Sequence, residues 1–395
     1  MQSLLIKNGT IVTPTGILEQ SDLLITENLI TDFGNAIEDT EGARIIDATD
    51  CIVMPGIIDV HTDALDAEII PRPGADIPIE VAFRELERKM SGCGFTTVYH
   101  SMHLGYKVAE YGSRSKYKRR EVFETVNKAI KGDTLLNNKI HLRFELTGVD
   151  AYDECLEYLE KGYVDMLSVM DHTPGQGQFT KAHFIELSIK SGKTEKQAIE
   201  EYEERNSRAV IKDDALANMI KTALSNNISV ASHDDDSIER VITMHELGVN
   251  ICEFPINMET AVYASNIGKH VVGGASNILR GGSLSGNLNI KDAVLAGAVD
   301  SLCSDYYPPS IIHAIFKLHQ EYGMALHQAI NLATLNPAKA TGIDTFTGSI
   351  DIGKDADIII VKLIDNMPMV LHTIVKGRVV VSIPSNISYN EALTA

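Results

Sequence analysis

Eight short apolar runs recur through the middle of the chain, at residues 57–60, 96–99, 140–144, 165–170, 228–231, 250–252, 270–273 and 301–303. Each is too short for a stable helix and rich in aliphatic or β-branched residues, so each reads as a buried strand. Helical patterns lie between them, as at 81–91, 120–131, 214–225 and 292–295. Eight strand–helix repeats in about 250 residues predict an α/β fold of the TIM-barrel kind, a (βα)8 barrel. A doubly wound open sheet would want a glycine-rich turn after the first strand, and none follows Val60.

The two chain ends read differently. Short runs at 4–6, 10–12, 22–25 and 44–46 are separated by Asn8-Gly9, Pro14-Thr15-Gly16 and Gly34-Asn35, which predicts small strands joined by turns. Further runs stand at 357–361 and 373–381. Neither end is long enough for a unit of its own. The expected organisation is one small β-sandwich from residues 1–55 plus 345–395, with a metal-dependent catalytic barrel, residues 56–344, inserted between them.

Composition narrows the partners. A net charge of -19 over 395 residues argues against a general nucleic-acid or anionic-membrane surface, while leaving room for a local basic pocket. The five cysteines are scattered and form no CxxC, which suits reduced thiols in a cytoplasm. No apolar leader opens the chain and no run is long enough to span a bilayer. A cytoplasmic protein acting on a small molecule, with no nucleic acid and no membrane as partner, is expected.

In such a barrel the chemistry sits at the carboxyl ends of the strands. Side chains alternate along a strand, so His61 and Asp63 point the same way at the first end. The later ends carry His100 and His103, Glu145, Asp171 and His172, then His233 with Asp234, Asp235 and Asp236, Glu253, Asn277 with Arg280, and Asp305. A His, Asp or Glu at seven of eight ends is hard to explain by packing, because buried charges need partners. A divalent metal would supply one. Imidazole and carboxylate without thiolate suit zinc, manganese, iron or cobalt.

The first-strand HxD, the fifth-strand His, the eighth-strand Asp and the two-ended sandwich together resemble the amidohydrolase superfamily. Seven stretches are similar, in order, to its phosphonate-metabolism family, the ribose 1-methylphosphonate 5-triphosphate diphosphatases. These are HTDAL at His61, PRPG at Pro71, MDHTPGQ at Met170, SHDD at Ser232, EFP at Glu253, NILRGGSLSGN at Asn277 and SDYYP at Ser304. The superfamily usually carries HxH where Asp63 stands. The closer family has Asn, Pro and His at the positions of Ala64, Ser276 and Leu284, and the His100/His103 pair is unlike its second-strand end. These departures flank the expected pocket and bear on substrate choice.

The resemblance implies a two-ion divalent centre, zinc first among the candidates, hydrolysing a phosphorylated small molecule to a 5-phosphate and pyrophosphate. Its expected ligands are His61, Asp63, Glu145, His172, His233 and Asp305, with Asp171 and Glu253 as second candidates. Either Glu145 or Asp171 would bridge the ions. Asp305 would double as general base. Arg280 and the backbone of Gly281, Gly282 and Ser283 would hold the polyphosphate, with Arg72 as a further cation. A homo-oligomer, a dimer, is the expected assembly. Two rival readings remain: hydrolysis or deamination of a cyclic amide or aminated base, and an inactive barrel used as a scaffold.

Two charged stretches have bland readings beside functional ones. The basic run at 113–120 reads as a solvated helix start, against a loop reaching over the substrate. The helix expected at 195–205 reads as part of a solvated hairpin, against a substrate lid. His313, His319 and His327 read as structural or surface residues.

Overall fold

The computed structural model describes residues 3–38, 42–105, 117–175, 180–283 and 286–384. Leu284 and positions 113–116 of the basic run lie outside the described residues.

The N-terminal stretch forms β1 (Ser3–Thr13), β2 (Gly16–Thr26), β3 (Leu29–Gly34), β4 (Arg44–Asp47) and β5 (Cys51–Pro55). The runs at 4–6 and 10–12, expected as two strands, belong to the single strand β1. Asn8-Gly9 is a bulge within it rather than a turn. Asn8 takes a left-handed φ of 62° and its N–H donates to Asp22 Oδ1 at 2.9 Å. The register against β2 jumps between Ile6 and Gly9. A Cβ on Gly9 would lie 2.6 Å from Val53 Cγ2, so the close approach of β5 requires glycine there.

The middle of the chain supplies β6 (Ile57–Thr62), β7 (Phe95–Leu104), β8 (Asn137–Glu145), β9 (Met166–Met170), β10 (Ser229–His233), β11 (Ile251–Glu253), β12 (His270–Gly274) and β13 (Ser301–Cys303). They pair in sequence order, and every pair is parallel. Helices such as Ile79–Gly92 connect them. That helix buries Ile79, Ala82, Phe83, Leu86 and Met90, the three-and-four spacing of a single face.

The ring closes between β13 and β6 in an uneven way. At the mouth the Asp305 N–H donates to the His61 carbonyl at 3.0 Å, and the Asp63 N–H donates to the Asp305 carbonyl at 2.7 Å. Lower down, the segment at Leu332 and Ala333 wedges between the two strands. There the Ile58 N–H donates to the Ala333 carbonyl at 2.9 Å, and the Leu302 N–H to the Leu332 carbonyl at 2.7 Å. Buried Asp59 ties the strands between these levels, accepting from the Ser304 hydroxyl at 2.5 Å and the Ser304 N–H at 3.0 Å.

The chain returns as β14 (Ile358–Ile364), β15 (Met367–Val375) and β16 (Arg378–Ser382). β14 runs antiparallel to β5, with Cys51 opposite Lys362 and Pro55 opposite Ile358. Both chain ends therefore share one mixed sheet of eight strands. Its own core includes Ile6, Leu23, Val53, Ile358 and Ile374. Among the described residues no helix is long and apolar enough to cross a membrane.

Only Gly56 separates β5 from β6, so this residue carries the chain from one sheet into the other. Its N–H donates to the Asp357 carbonyl at 2.9 Å. A Cβ there would lie 2.1 to 2.6 Å from three side-chain atoms of Thr96, which is itself wholly buried. Gly56→Ala is expected to destabilise the protein by roughly 1–3 kcal/mol through overpacking. Gly92→Ala, with nothing within 4 Å of the added carbon, is expected to stay within about 0.5 kcal/mol. Urea midpoints of the two variants check this, and equal midpoints would remove the steric account.

Candidate metal centre

β6 delivers His61 to the barrel mouth, with Asp63 just past the strand's end. His61 Nδ1 lies 2.7 Å from Glu253 Oε1, at the end of β11. The other oxygen, Glu253 Oε2, lies 2.8 Å from Nδ1 of His233, at the end of β10. Glu253 is 0% exposed. Burial acts to raise its carboxyl, but the pull of His61 and the hydrogen bonds from His233 and His61 outweigh burial. They hold it well below the usual carboxylate range. An ionised carboxylate only accepts, so both Nδ1 atoms donate. With Nδ1 committed to donation, any lone pair that these rings offer a cation in the mouth is on Nε2. His61 Nε2 is buried with no hydrogen-bond partner among the described residues.

A further layer supports Glu253. The Ser168 hydroxyl on β9 sits 2.9 Å from Glu253 Oε2 and 2.5 Å from His141 Nε2. His141 Nδ1 donates to the Val60 carbonyl at 2.9 Å. Burial pushes His141 down to about 3, so this imidazole is neutral.

The second half of the centre lies across the mouth. His172 Nδ1 is 2.6 Å from Glu145 Oε2, and its backbone N–H donates to Glu145 Oε1 at 2.9 Å. His172 Nε2 is 3.6 Å from Asp234 Oδ2, and His233 Nε2 is 3.8 Å from the same oxygen. Asp234 therefore stands between two imidazoles. It reaches that place with φ at 54°, its N–H bonded to the Glu253 carbonyl at 2.9 Å. Phe254 at 54° and Asp305 at 61° share the left-handed backbone. Three such residues just past strand ends are a concentration of local strain at the mouth.

Two groups of donors result. One is His61, Asp63 and Asp305; the other is His172, His233 and Asp234, with the ligand atoms of each group within 4.8 Å of one another. A third grouping joins His61, His233 and Glu253, but the Nδ1 contacts make Glu253 the holder of two imidazoles from behind. Nitrogen and carboxylate donors of this kind fit a divalent cation, and such an ion would satisfy the orphaned His61 Nε2.

The cavity in front of these groups has a volume of about 350 Å³ and includes two guanidiniums. Arg143, on β8, places Nη1 2.8 and 3.0 Å from the two oxygens of Asp63. Burial would raise the Asp63 carboxyl, but Arg143 and His61 outweigh it and hold it below its ordinary value. Asp305 goes the other way, raised by burial against the pull of His61. Arg280 lies exposed at the rim, with Nη1 3.3 Å from the Tyr306 hydroxyl.

The structure thus brings together His61, Asp63, His172, His233 and Asp305. Glu145 stands behind His172, with one oxygen on its ring and the other on its backbone N–H, and belongs to neither donor group. Asp171 accepts the Thr173 N–H at 3.1 Å and joins neither donor group. Gly281 and Gly282 do not offer free N–H groups to a phosphate. Gly281 caps the helix Ala275–Arg280 at φ 82°, and both N–H groups point to the Asn277 carbonyl. Ser283 does line the cavity, while Arg72 is exposed and away from it. His100 is buried on Asn138 at 2.8 Å, and burial pushes His103 down to about 3. Sequence reasoning named Asp234 at the fifth strand end without placing it among the ligands, and it passed over Arg143. The signal for Arg143 was present: alternation along β8 puts His141, Arg143 and Glu145 on one face.

His172 carries a testable proton. Burial opposes its charge, but hydrogen bonds with Asp234 and Glu145 more than offset this and raise it to about 9. A metal ligand must be neutral. Zinc or manganese binding at pH 7 should therefore release about one proton from His172. Apparent affinity should rise with pH, approaching tenfold per unit, and level off above about 9. Calorimetry in buffers of different ionisation enthalpy measures the release; a heat independent of buffer would mean that His172 is already neutral.

Residues 170–380 match the Amidohydrolase family. The chain is 32% identical over 335 residues to the alpha-D-ribose 1-methylphosphonate 5-triphosphate diphosphatase of Escherichia coli (strain K12), covering 82% of this chain and 87% of that protein. It is 55% identical to the D-hydantoinase of Geobacillus stearothermophilus over 58 residues, which are 15% of this chain and only 12% of that protein. Dihydropyrimidinases and dihydroorotases also match over small shares of their length. The solved dihydropyrimidinase from Brevibacillus agri NCHU1002 has the same fold, with a TM-score of 0.61 at 15% identity, over 96% of this chain and 95% of that one. With a match over more than half its length and a relative aligned along most of it, this chain belongs to the amidohydrolase family, as a hydrolase with a candidate divalent-metal centre.

Proposed function

We propose that this metal-dependent hydrolase cleaves a ribose 5-triphosphate, of the 1-methylphosphonate type, to the 5-phosphate and pyrophosphate. The observation that carries the reading is Arg280 in the same cavity as members of both donor groups, His61 and Asp305 on one side and His172, His233 and Asp234 on the other. An exposed guanidinium beside the candidate metal centre, in a chain of net charge -19, suits a polyanionic substrate. The diphosphatase relative, aligned over most of both chains, supports the same substrate class.

Two zinc ions are the proposed occupants, held by His61, Asp63 and Asp305 on one side and His172, His233 and Asp234 on the other. Bound divalent cations lower the pKa of water and neutralise charge on phosphoryl oxygens. The chain's own residues do the rest. Asp305, raised by burial, takes the proton of the attacking water. The water oxygen bonds to the α-phosphorus, the bond from that phosphorus to the bridging oxygen breaks, and pyrophosphate leaves with the electron pair. Arg280 holds the departing charge at the rim, and Ser283 adds a hydroxyl beside it.

A second reading is hydrolysis of a cyclic amide. The named relatives that hydrolyse cyclic amides or pyrimidines outnumber the diphosphatase and, counted by name, weigh toward this alternative. The same water and the same Asp305 would then act on an amide carbonyl. The scaffold reading has less support, since both donor groups are complete.

Phosphorus NMR of metal-loaded protein with the triphosphate in ¹⁸O water tests the proposal. Pyrophosphate with label on the 5-phosphate is expected. No turnover, alongside activity on a hydantoin or dihydropyrimidine, would replace it by the second reading. Asp305→Asn should lower kcat by about a thousandfold or more with circular dichroism unchanged; retained activity would remove Asp305 as base. Arg280→Ala should raise KM for triphosphates about tenfold or more, and less for monophosphate analogues. Equal effects on both would argue against a polyphosphate clamp.

A further inference from the structure

The metal centre has a neighbour behind His172. A second cavity, of about 270 Å³, lies between His172 and the helical hairpin formed by Lys181–Lys190 and Glu195–Asn206. The charge pattern of this insertion after β9 reads as a solvated surface, yet its helices wall a space that opens on a candidate metal ligand. Phe184 and Leu187 supply apolar lining; Lys193, Glu201 and Arg205 supply charge.

Two cations there share one carboxylate. Lys193 Nζ is 2.6 Å from Glu201 Oε2, and Arg205 Nη2 is 2.9 Å from Glu201 Oε1. The charged lining is therefore net positive. The Arg205 guanidinium carbon lies 5.2 Å from the centre of the Phe184 ring, and its Nε is buried without a hydrogen-bond partner among the described residues. A guanidinium held in this way presents a fixed fork to an oxyanion. The hairpin is also seated against the loop that carries His172: a Cβ on Gly175 would lie 2.9 Å from the Tyr202 hydroxyl. Helical ion pairs in open solvent contribute little. This group differs in having one cation in excess, inside a cavity that shares His172 with the centre.

We propose that Lys193 and Arg205 form a second anion subsite, which binds the phosphonate at the end of the substrate remote from the cleaved bond. This rests on the triphosphate reading, with Arg280 on the polyphosphate. A substrate charged at both ends then lies across the two cavities, with His172 between them. The hairpin thus selects among ribose 5-triphosphates by what stands at the ribose 1-position.

The test compares ribose 5-triphosphate with and without a 1-methylphosphonate group, on wild type and on the Lys193→Met/Arg205→Met double variant, both metal-loaded. The wild type should prefer the phosphonate-bearing substrate by about tenfold or more in kcat/KM. The double variant should lose that preference through KM, with the loss falling selectively on the phosphonate-bearing substrate. Equal losses on both substrates, or no preference in the wild type, would overturn the proposal. Arg205→Gln alone gives a graded version should the double variant fold poorly. If neither triphosphate turns over, the diphosphatase reading fails, and the subsite is then judged by calorimetry with ribose 1-methylphosphonate 5-phosphate. Binding about tenfold weaker to the double variant supports the subsite; equal affinity, or no binding to wild type, overturns it.

Discussion

One buried carboxylate sets the geometry of the mouth. Glu253 is wholly enclosed, and its two oxygens take the Nδ1 atoms of His61 and His233 at 2.7 and 2.8 Å. An ionised group in that position is tolerable only because imidazoles and the Ser168 hydroxyl surround it. Removing one partner from such a buried set typically costs 3–5 kcal/mol, so ring orientation and local stability are coupled. Each imidazole has one nitrogen committed to Glu253 and presents the other outward. The carboxylate thereby decides which atoms a metal can meet.

The closure of the barrel is part of the same construction. Ladder bonding between β6 and β13 is confined to the mouth, where the backbones of His61, Asp63 and Asp305 bond directly. Lower down, Leu332 and Ala333 occupy the gap. Asp305 therefore bonds to the first strand through its backbone while its side chain faces the cavity. The left-handed φ of Asp305 and of Asp234 is what turns each carboxylate off its strand and toward the imidazoles. Aspartate tolerates that conformation better than most residues, which is a physical reason for its presence at both places.

The barrel was legible because period-two strands and their turn signals are local features. All eight expected runs overlap observed strands, and His61, His172, His233 and Asp305 from their ends meet at one mouth. What a local pattern does not contain is which atom of a side chain faces where. Glu145 and Glu253 sit at strand ends like the candidate ligands, yet Glu145 is taken up by His172, and Glu253 by His61 and His233. The pairing of Glu253 spans 192 residues to His61, a distance no spacing rule reports. Asn8-Gly9 and Gly281-Gly282 failed for a related reason. Their composition announces unusual backbone, but a bulge, a turn, a helix cap and a phosphate cradle all use the same residues.

The departure at the first strand and the arginine on the third explain each other. Asp63 stands where a second histidine is usual in the superfamily, and both of its oxygens lie within 3.0 Å of Arg143 Nη1. A histidine at that position would leave the Arg143 guanidinium, 15% exposed in its side chain, without its carboxylate. Without the arginine, Asp63 would add a bare negative charge to a mouth that already holds Asp234 and Asp305. Two like charges about 4 Å apart repel by roughly 4 kcal/mol at an effective dielectric near 20. A polyanionic substrate would feel the same repulsion from every uncompensated carboxylate. Pairing Asp63 with Arg143 keeps a donor oxygen available to a cation while cancelling its long-range field. Such an arrangement has a clear use when the substrate is an anion, and much less when it is a neutral ring.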